Sequence, residues 1–261
     1  MNNLKDLNAK IFVISLEGSR RRKHVIKEFK KYDLEFEFID AVNGKYLKLD
    51  SDPRINYEHV LKRPRWLTPG AVGCALSHVK CYQKVVDEKL DFALIFEDDI
   101  CINQDILTLV KNIKKITKED EATLLFYFSW NDIILNKKDA KKVSNETSLF
   151  VVPENTNLRS TAGYMIGKDA CQKMIDFSLP IHSATDCWKD FYEKGVLSKV
   201  NILYPLPLSS AYFESSLEYK KSKMVSFFTK IINRFKLPFL YQYLVHRRKT
   251  YYSEKTRIIL K

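Results

Sequence analysis

Phe92-Ala93-Leu94-Ile95-Phe96-Glu97-Asp98-Asp99 runs five apolar residues straight into three acids. The apolar run is too short for a helix that must bury a whole face, and its aromatic and branched side chains suit a strand covered on both sides. A strand of that kind belongs at the centre of a sheet with helices on both faces. In open sheets of this class ligands collect at the carboxyl ends of the strands, and the three acids stand at such an end.

Outward from this stretch the apolar periodicity switches between strand and helix. Lys10 to Leu16 reads as a buried first strand, broken at Gly18-Ser19, with Ser19 capping a helix through Val25, Ile26 and Phe29. Glu35 to Ile39 alternates as a second strand ending at Asp40, and residues 43–65 read as an irregular excursion. Thr68-Pro69-Gly70 opens a helix, with Thr as its cap and Pro in its first turn. Past the acids, Ile106, Leu109, Val110, Ile113 and Ile116 mark a helix, and Leu124 to Phe128 a strand before a lysine-rich loop at 136–142. Leu149 to Val152, Tyr164 to Ile166 and Val200 to Tyr204 read as strands, Lys168 to Phe177 and Asp186 to Tyr192 as helices. The alternation predicts an α/β fold with a mainly parallel sheet flanked by helices.

Adjacent carboxylates repel one another, and a cation removes that repulsion. Hard divalent ions such as Mn²⁺ and Mg²⁺ prefer oxygen ligands, and in an extended segment Glu97 and Asp99 point to the same side. A solvated strand end would carry the same three acids, so the residues by themselves leave both readings open.

Of 261 residues, 45% are hydrophobic and 29% charged, as in a soluble globular protein. The formal charge of +12 is uneven: residues 220–261 hold 12 Lys and Arg against Glu254, or +11, leaving 32 basic and 31 acidic groups in the remainder. Within that segment Met224, Phe227, Phe228, Ile231, Ile232 and Phe235 recur at helical spacing beside Lys223, Lys230 and Arg234, up to Pro238. Residues 1–217 are thus read as a catalytic domain and 218–261 as a basic amphipathic helical appendage. Such a helix suits an anionic membrane surface; packing on the body is the alternative, and nucleic acid is the weakest reading because no binding module accompanies the charge.

The five cysteines, Cys74, Cys81, Cys101, Cys171 and Cys187, are an odd number in a chain whose start shows no export leader, so reduced thiols and a cytoplasmic protein are expected. Cys74, His78 and Cys81 share one face of the helix opened by Thr68. Buried thiols beside a histidine are the simpler account of that face than a metal site.

Several segments together carry a resemblance. Ile14-Ser15-Leu16 with Ser19-Arg20-Arg21, Asp40-Ala41-Val42-Asn43-Gly44, the block from Leu67-Thr68-Pro69-Gly70 to Ser77-His78, Ala93 to Asp99, and Thr161-Ala162-Gly163-Tyr164 resemble, in order and spacing, glycosyltransferase family 25. The resemblance covers about residues 10–210. It implies a GT-A-like nucleotide-diphospho-sugar transferase fold and inverting transfer of a hexose, chiefly galactose from UDP-galactose, to a lipid-linked lipooligosaccharide or lipopolysaccharide core. It implies that Glu97 and Asp99 hold Mn²⁺ or Mg²⁺ against the donor diphosphate, with Glu97 also placed at the reaction centre. The basic appendage, which lies outside the resemblance, leads to the expectation of an enzyme at the inner face of the cytoplasmic membrane. A sugar nucleotidyltransferase is the rival enzyme, but the first strand lacks its glycine-rich basic loop.

Roles follow from position. Ser15, Leu16, Arg20, Arg22 and Asp40 at the first two strand ends, Gly70, Gly73, Ser77 and His78 on the following helix, and Asp98 are the candidate donor-binding residues. Asp186 resembles an acidic position of the family, as general base or metal support, with helix capping as its alternative. Trp130, Thr161, Gly163, Tyr164 and Trp188 are the candidate acceptor contacts, with aromatic core as the other fate of the rings.

Overall fold

The computed structural model describes residues 4–117, 121–129, 131–153, 156–211, 231–232, 234–235, 239–244, 246 and 257–261. The first strand, β1 (Ala9–Ser15), leads into α1 (Arg21–Lys30) and β2 (Glu37–Asp40). The excursion holds a short helix, α2 (Tyr57–Lys62), before α3 (Pro69–Asp87) and β3 (Phe92–Glu97). After the acids come β4 (Ile100–Ile102), α4 (Ile106–Ile116), β5 (Ala122–Ser129), β6 (Ile133–Leu135), β7 (Lys141–Lys142) and β8 (Ser148–Val151). The last part contains β9 (Leu158–Gly167), α5 (Lys168–Ser178), α6 (Trp188–Glu193), β10 (Val200–Tyr204), β11 (Leu208–Ser210) and β12 (Ile258–Leu260).

Eight strands form one sheet in the order β2-β1-β3-β9-β5-β10-β8-β7. β2, β1, β3, β5, β10 and β7 point one way; β9 and β8 run against them. The expected mainly parallel α/β sheet is therefore present, with β9 as a reversed strand in its middle, beside β3. Alternate residues of β3 enter opposite layers: Ala93 and Ile95 pack with α3, α5 and α6, while Phe92, Leu94 and Phe96 pack with α1 and α4. Both faces of the strand are covered, which is why its sequence is apolar throughout rather than alternating.

Local chemistry sets the helix ends. The Thr68 hydroxyl accepts the Ala71 N–H at 3.2 Å, and Pro69 takes a position where no intrahelical N–H bond is needed. Asp105 caps α4 in the same way, accepting from Thr108. Ser19 was expected to cap α1, but Arg20 occupies that position and Ser19 lies one residue outside it, accepting the Arg21 N–H. The one-residue difference turns Arg21, rather than Arg20, toward the end of β3.

The excursion is anchored to α3 by two glycines. A Cβ on Gly44 would lie 2.1 Å from the Pro69 carbonyl oxygen, and one on Gly73 would lie 2.5 Å from that of Val42. Backbone passes against backbone there, and only glycine permits it. The Ser77 hydroxyl completes the junction, accepting from the Val42 N–H and donating to the Gly73 carbonyl.

The boundary expected at 217/218 falls in a stretch outside the described residues, as do Met224, Phe227 and Phe228. Residues 231–232, 234–235 and 240–244 are helical. Near the end of the sequence β12 pairs in parallel with β6, with Ile258 opposite Ile133 and Leu260 opposite Leu135. No helix among the described residues is long and apolar enough to cross a membrane.

Candidate active site

The carboxyl end of β3 lies between the end of β1 and the first half of β9. The parallel register sets Ile14 beside Glu97, and the antiparallel one sets Gly163 beside Phe96. β9 carries extra residues here: from Phe126 to Phe128 on β5, its register advances from Gly163 to Arg159. A bulge of this kind re-aims side chains, and Ser160 within it has φ +92°, a conformation that L-residues adopt only under constraint. The bulge delivers Thr161, whose hydroxyl donates to Glu97 Oε1 at 2.8 Å.

Each acid has a different environment. Asp98 is buried, accepting the Ser15 hydroxyl at 2.6 Å and Arg21 Nη1 at 2.9 Å, so it fastens α1 and β1 to β3. Burial would raise the Glu97 pKa, but His78, Thr161 and Arg21 outweigh it and hold the carboxyl below its usual range. Asp99 is pushed up to about 7 by burial and by the Glu97 and Asp98 charges, against Arg21 Nη1 at 3.7 Å. The Asp186 carboxyl is also raised, by burial first, with Arg159 pulling it back and Glu97 adding to the rise. Arg159 Nη1 stands 3.8 Å from Asp186 Oδ1 and donates to Cys187 Sγ.

Asp186 does not cap α6. Cys187 holds the cap position without a side-chain cap bond, and the Glu97 charge adds to the rise of the Asp186 carboxyl. The charges of Glu97, Asp99 and Asp186, from two distant segments, all act on the Cys74 thiol. Three carboxylates in a site where burial already pushes two of them up fit a divalent cation, whose charge removes the mutual repulsion. Glu97 and Asp99, from one strand end, are the residues that would hold it.

The α3 face supplies His78, fully buried, with Nδ1 2.8 Å from the Tyr164 hydroxyl and Nε2 3.7 Å from Glu97 Oε1. Tyr164 donates onward to Tyr82 at 2.8 Å. Burial, then the Glu97, Asp186 and Asp99 charges, raises the Cys74 thiol on the same face.

Other expected site residues have different placements. Arg22 pairs with Asp40 and donates to the Ser15 carbonyl, while Arg20 is exposed. Leu16 is half-buried at the end of β1, and Gly70 forms part of the α3–Gly44 junction. Ser77 is wholly buried in that junction and offers no free hydroxyl edge to a ligand. Tyr164 and Trp188 correct the expectation of sugar stacking: they are 0% and 1% exposed, packed edge to face at 5.2 Å, with the Trp188 indole donating to the Ser160 carbonyl. A Cβ at Gly163 would meet Leu208 at 2.3 Å, so its role is close packing. Trp130 lies outside the described residues. Arg21 and Arg159 are the neighbours of the acids that position in sequence alone did not single out, while Cys74, noted with His78 on one helix face, was read as a buried thiol. Arg21 stood inside the Ser19-Arg20-Arg21 segment, and Arg159-Ser160-Thr161 is a polar triplet leading into an apolar strand.

Comparison with known proteins identifies the family of the chain. The model of the family described as "Glycosyltransferase family 25 (LPS biosynthesis protein)" matches residues 8–188. The chain is 26% identical over 226 residues to human procollagen galactosyltransferase 2, covering 75% of this chain and 34% of that one. It is 31% identical over 170 residues to the Haemophilus influenzae lipooligosaccharide biosynthesis protein lic2B, covering 62% and 61%. It is 27% identical over 196 residues to lipooligosaccharide biosynthesis protein lex-1 of the same species, covering 63% and 62%. The matches therefore span between about a third and three fifths of these relatives' lengths.

Proposed function

The chain belongs to glycosyltransferase family 25, and from that premise we propose that it is an inverting, metal-dependent hexosyltransferase of GT-A type. The donor is UDP-galactose and the acceptor a lipid-linked lipooligosaccharide or lipopolysaccharide core saccharide. The relatives named for galactosyl transfer and for lipooligosaccharide biosynthesis support the sugar and the acceptor class. What supports the chemistry is the Glu97 charge at the carboxyl end of β3, which adds to the rise of both the Asp99 and the Asp186 carboxyls.

Mn²⁺ or Mg²⁺, held by Glu97 and Asp99, would neutralise the donor diphosphate and stabilise it as a leaving group. Around that group the protein's own residues divide the work. Arg21, already in contact with Asp98, supplies a guanidinium beside the phosphates. The Thr161 hydroxyl fixes the Glu97 carboxylate in orientation. Asp186, whose basicity is raised by burial, takes the proton of the acceptor hydroxyl as its oxygen attacks the anomeric carbon. The new C–O bond forms on one face of the sugar while the bond to the diphosphate breaks on the other.

Residues 220–261 are assigned to an anionic membrane surface, at the inner face of the cytoplasmic membrane where the acceptor grows. Phe235, Phe239, Leu240 and Tyr243 are exposed, between 50% and 82%, which favours a lipid interface over packing on the body. A screen of UDP-galactose, UDP-glucose and their N-acetyl forms against defined core saccharides, with Mn²⁺ and NMR of the product, tests the reaction. Transfer of the α-configured donor to a β-linked product is expected. An α-linked product removes Asp186 as the base of a single displacement.

A further inference from the structure

Cys74 Sγ, His78 Nε2 and a Glu97 carboxylate oxygen all lie within 4.8 Å of one another, the grouping of potential metal ligands found among the described residues. We propose that these three atoms form a binding site for a borderline, thiophilic divalent ion such as Zn²⁺ or Co²⁺, distinct in chemistry from the oxygen-ligand site of the donor cation. The third ligand is Glu97 and not Cys81, which sits wholly buried in the helix layer.

The geometry is that of a three-ligand site with an open fourth position. Cys74 and His78, at i and i+4 on α3, project from one helix face. Bonds of about 2.0–2.3 Å to nitrogen, oxygen and sulfur place tetrahedral ligands roughly 3.3–3.8 Å apart. His78 Nε2 and Glu97 Oε1 are already 3.7 Å apart, too far for a hydrogen bond and suited to sharing an ion. The Cys74 sulfur, within 4.8 Å of the other two ligand atoms, would close the remaining gap by a side-chain rotation. Cys74 and Glu97 are only partly buried, so an ion can enter and solvent can complete its coordination.

A second observation comes from the histidine itself. His78 is 0% exposed, yet Nε2 has no hydrogen-bond partner among the described residues, a state that buried nitrogens rarely hold. With the Tyr164 proton donated to Tyr82, the Tyr164 oxygen is open to the Nδ1 proton of His78. In that tautomer Nε2 offers its lone pair to an ion bound between Cys74 and Glu97. A second-shell acceptor on the far nitrogen is the usual companion of a metal-binding histidine. On binding, the thiol proton passes to solvent and the thiolate joins the ion.

The inference rests on the proposed function in one respect: Glu97 is shared with the donor cation, so a thiophilic ion here takes it out of use and inhibits transfer. The test needs no nucleotide sugar and so fails or succeeds independently of that reading. Titrating the metal-free full chain with Co²⁺ is expected to give a stoichiometric thiolate-to-cobalt charge-transfer band. The band should vanish in Cys74→Ser and persist in Cys101→Ser and Cys187→Ser. X-ray absorption of the wild-type cobalt complex, which requires no variant, should show one sulfur at about 2.3 Å with nitrogen or oxygen neighbours. The absence of a band in the wild type, its survival in Cys74→Ser, or a shell of nitrogen and oxygen alone overturns the assignment.

Discussion

At the scale of single residues the site is a balance of charge. Replacing Asp186 with Asn removes the proton acceptor while keeping its shape, and turnover should fall about 10²–10⁴-fold with little change in donor binding; a rate within a few-fold of wild type shows that another group is the base. Asp99 gives the pH dependence its sign. Its folded pKa of about 7 lies above the ordinary 3.8, so its contribution to stability is fully present below pH 3.8 and is lost as pH rises through 7. Asp99→Asn should therefore melt higher than the wild type when both are metal-free at pH 8, by on the order of a few degrees. Calorimetry with and without Mn²⁺ checks this, and the variant should also lose the wild-type gain in melting temperature on adding the ion. An Asp99→Asn protein that melts no higher contradicts the buried-charge account. Glu97 and Asp99 stood out in the sequence because three acids end an apolar strand, and the family resemblance, not the acids alone, chose between a cation site and a solvated strand end. Arg21 was not, because a one-residue change in the start of α1 decides which of three consecutive arginines faces the acids. The fates of Tyr164 and Trp188 depend on how α5 and α6 cover β9, which no local pattern records.

Among elements, the site depends on how α1 and α3 are held. Gly44 touches the Pro69 carbonyl, so Gly44→Ala should displace the start of α3 and destabilise the fold by about 1–3 kcal/mol, measured by denaturant unfolding. On the other face, the buried Glu28 accepts the Ile102 N–H and pairs with Lys31, joining α1 to β4. Glu28→Ala strands that N–H and should cost about 1–3 kcal/mol. Burial opposes ionisation of Glu28, but Lys31 and the Ile102 N–H hold its pKa below 4.5, so the ionic part of its contribution is complete above pH 4.5 and lost as pH falls through the folded value. The difference between wild type and Glu28→Gln should accordingly narrow in acid; a constant difference shows that the charge contributes nothing. The principal helices and β1, β3, β5 and β10 were legible from periodicity and from caps such as Thr68. α2, β4 and β11 were not, because elements of three to six residues leave too short a repeat to see. β9 was read as three residues rather than ten, since the bulge that aims Thr161 at Glu97 interrupts its alternation with polar residues.

For the whole molecule, the pairing of β12 changes how the basic segment must be tested. The Ala211 N–H donates to the Asp99 carbonyl at 2.6 Å, and β12, near the end of the sequence, pairs with β6 at Ile133–Leu135. Ending the chain near 217 would also remove β12 from the buried Ile133 and Leu135, mixing loss of stability with loss of charge. Changing Lys230, Arg234, Arg247, Arg248 and Lys249 to Gln keeps β12 in place. Co-sedimentation with anionic vesicles should weaken by about 1 kcal/mol per cation removed, and undiminished binding rejects the membrane assignment. The sequence showed the charge asymmetry, but a three-residue strand closing on a partner more than a hundred positions away leaves no local signature. The central claim, that Glu97, Asp99 and Asp186 form a metal-dependent hexosyl-transfer centre, is tested most directly by UDP release from UDP-galactose in the presence of a core saccharide, as Mn²⁺ is titrated into metal-free enzyme. Turnover that rises from zero with Mn²⁺, saturates, and is absent in a folded Asp99→Asn variant is the predicted result; turnover at full rate in chelator, or unaltered in that variant, contradicts it.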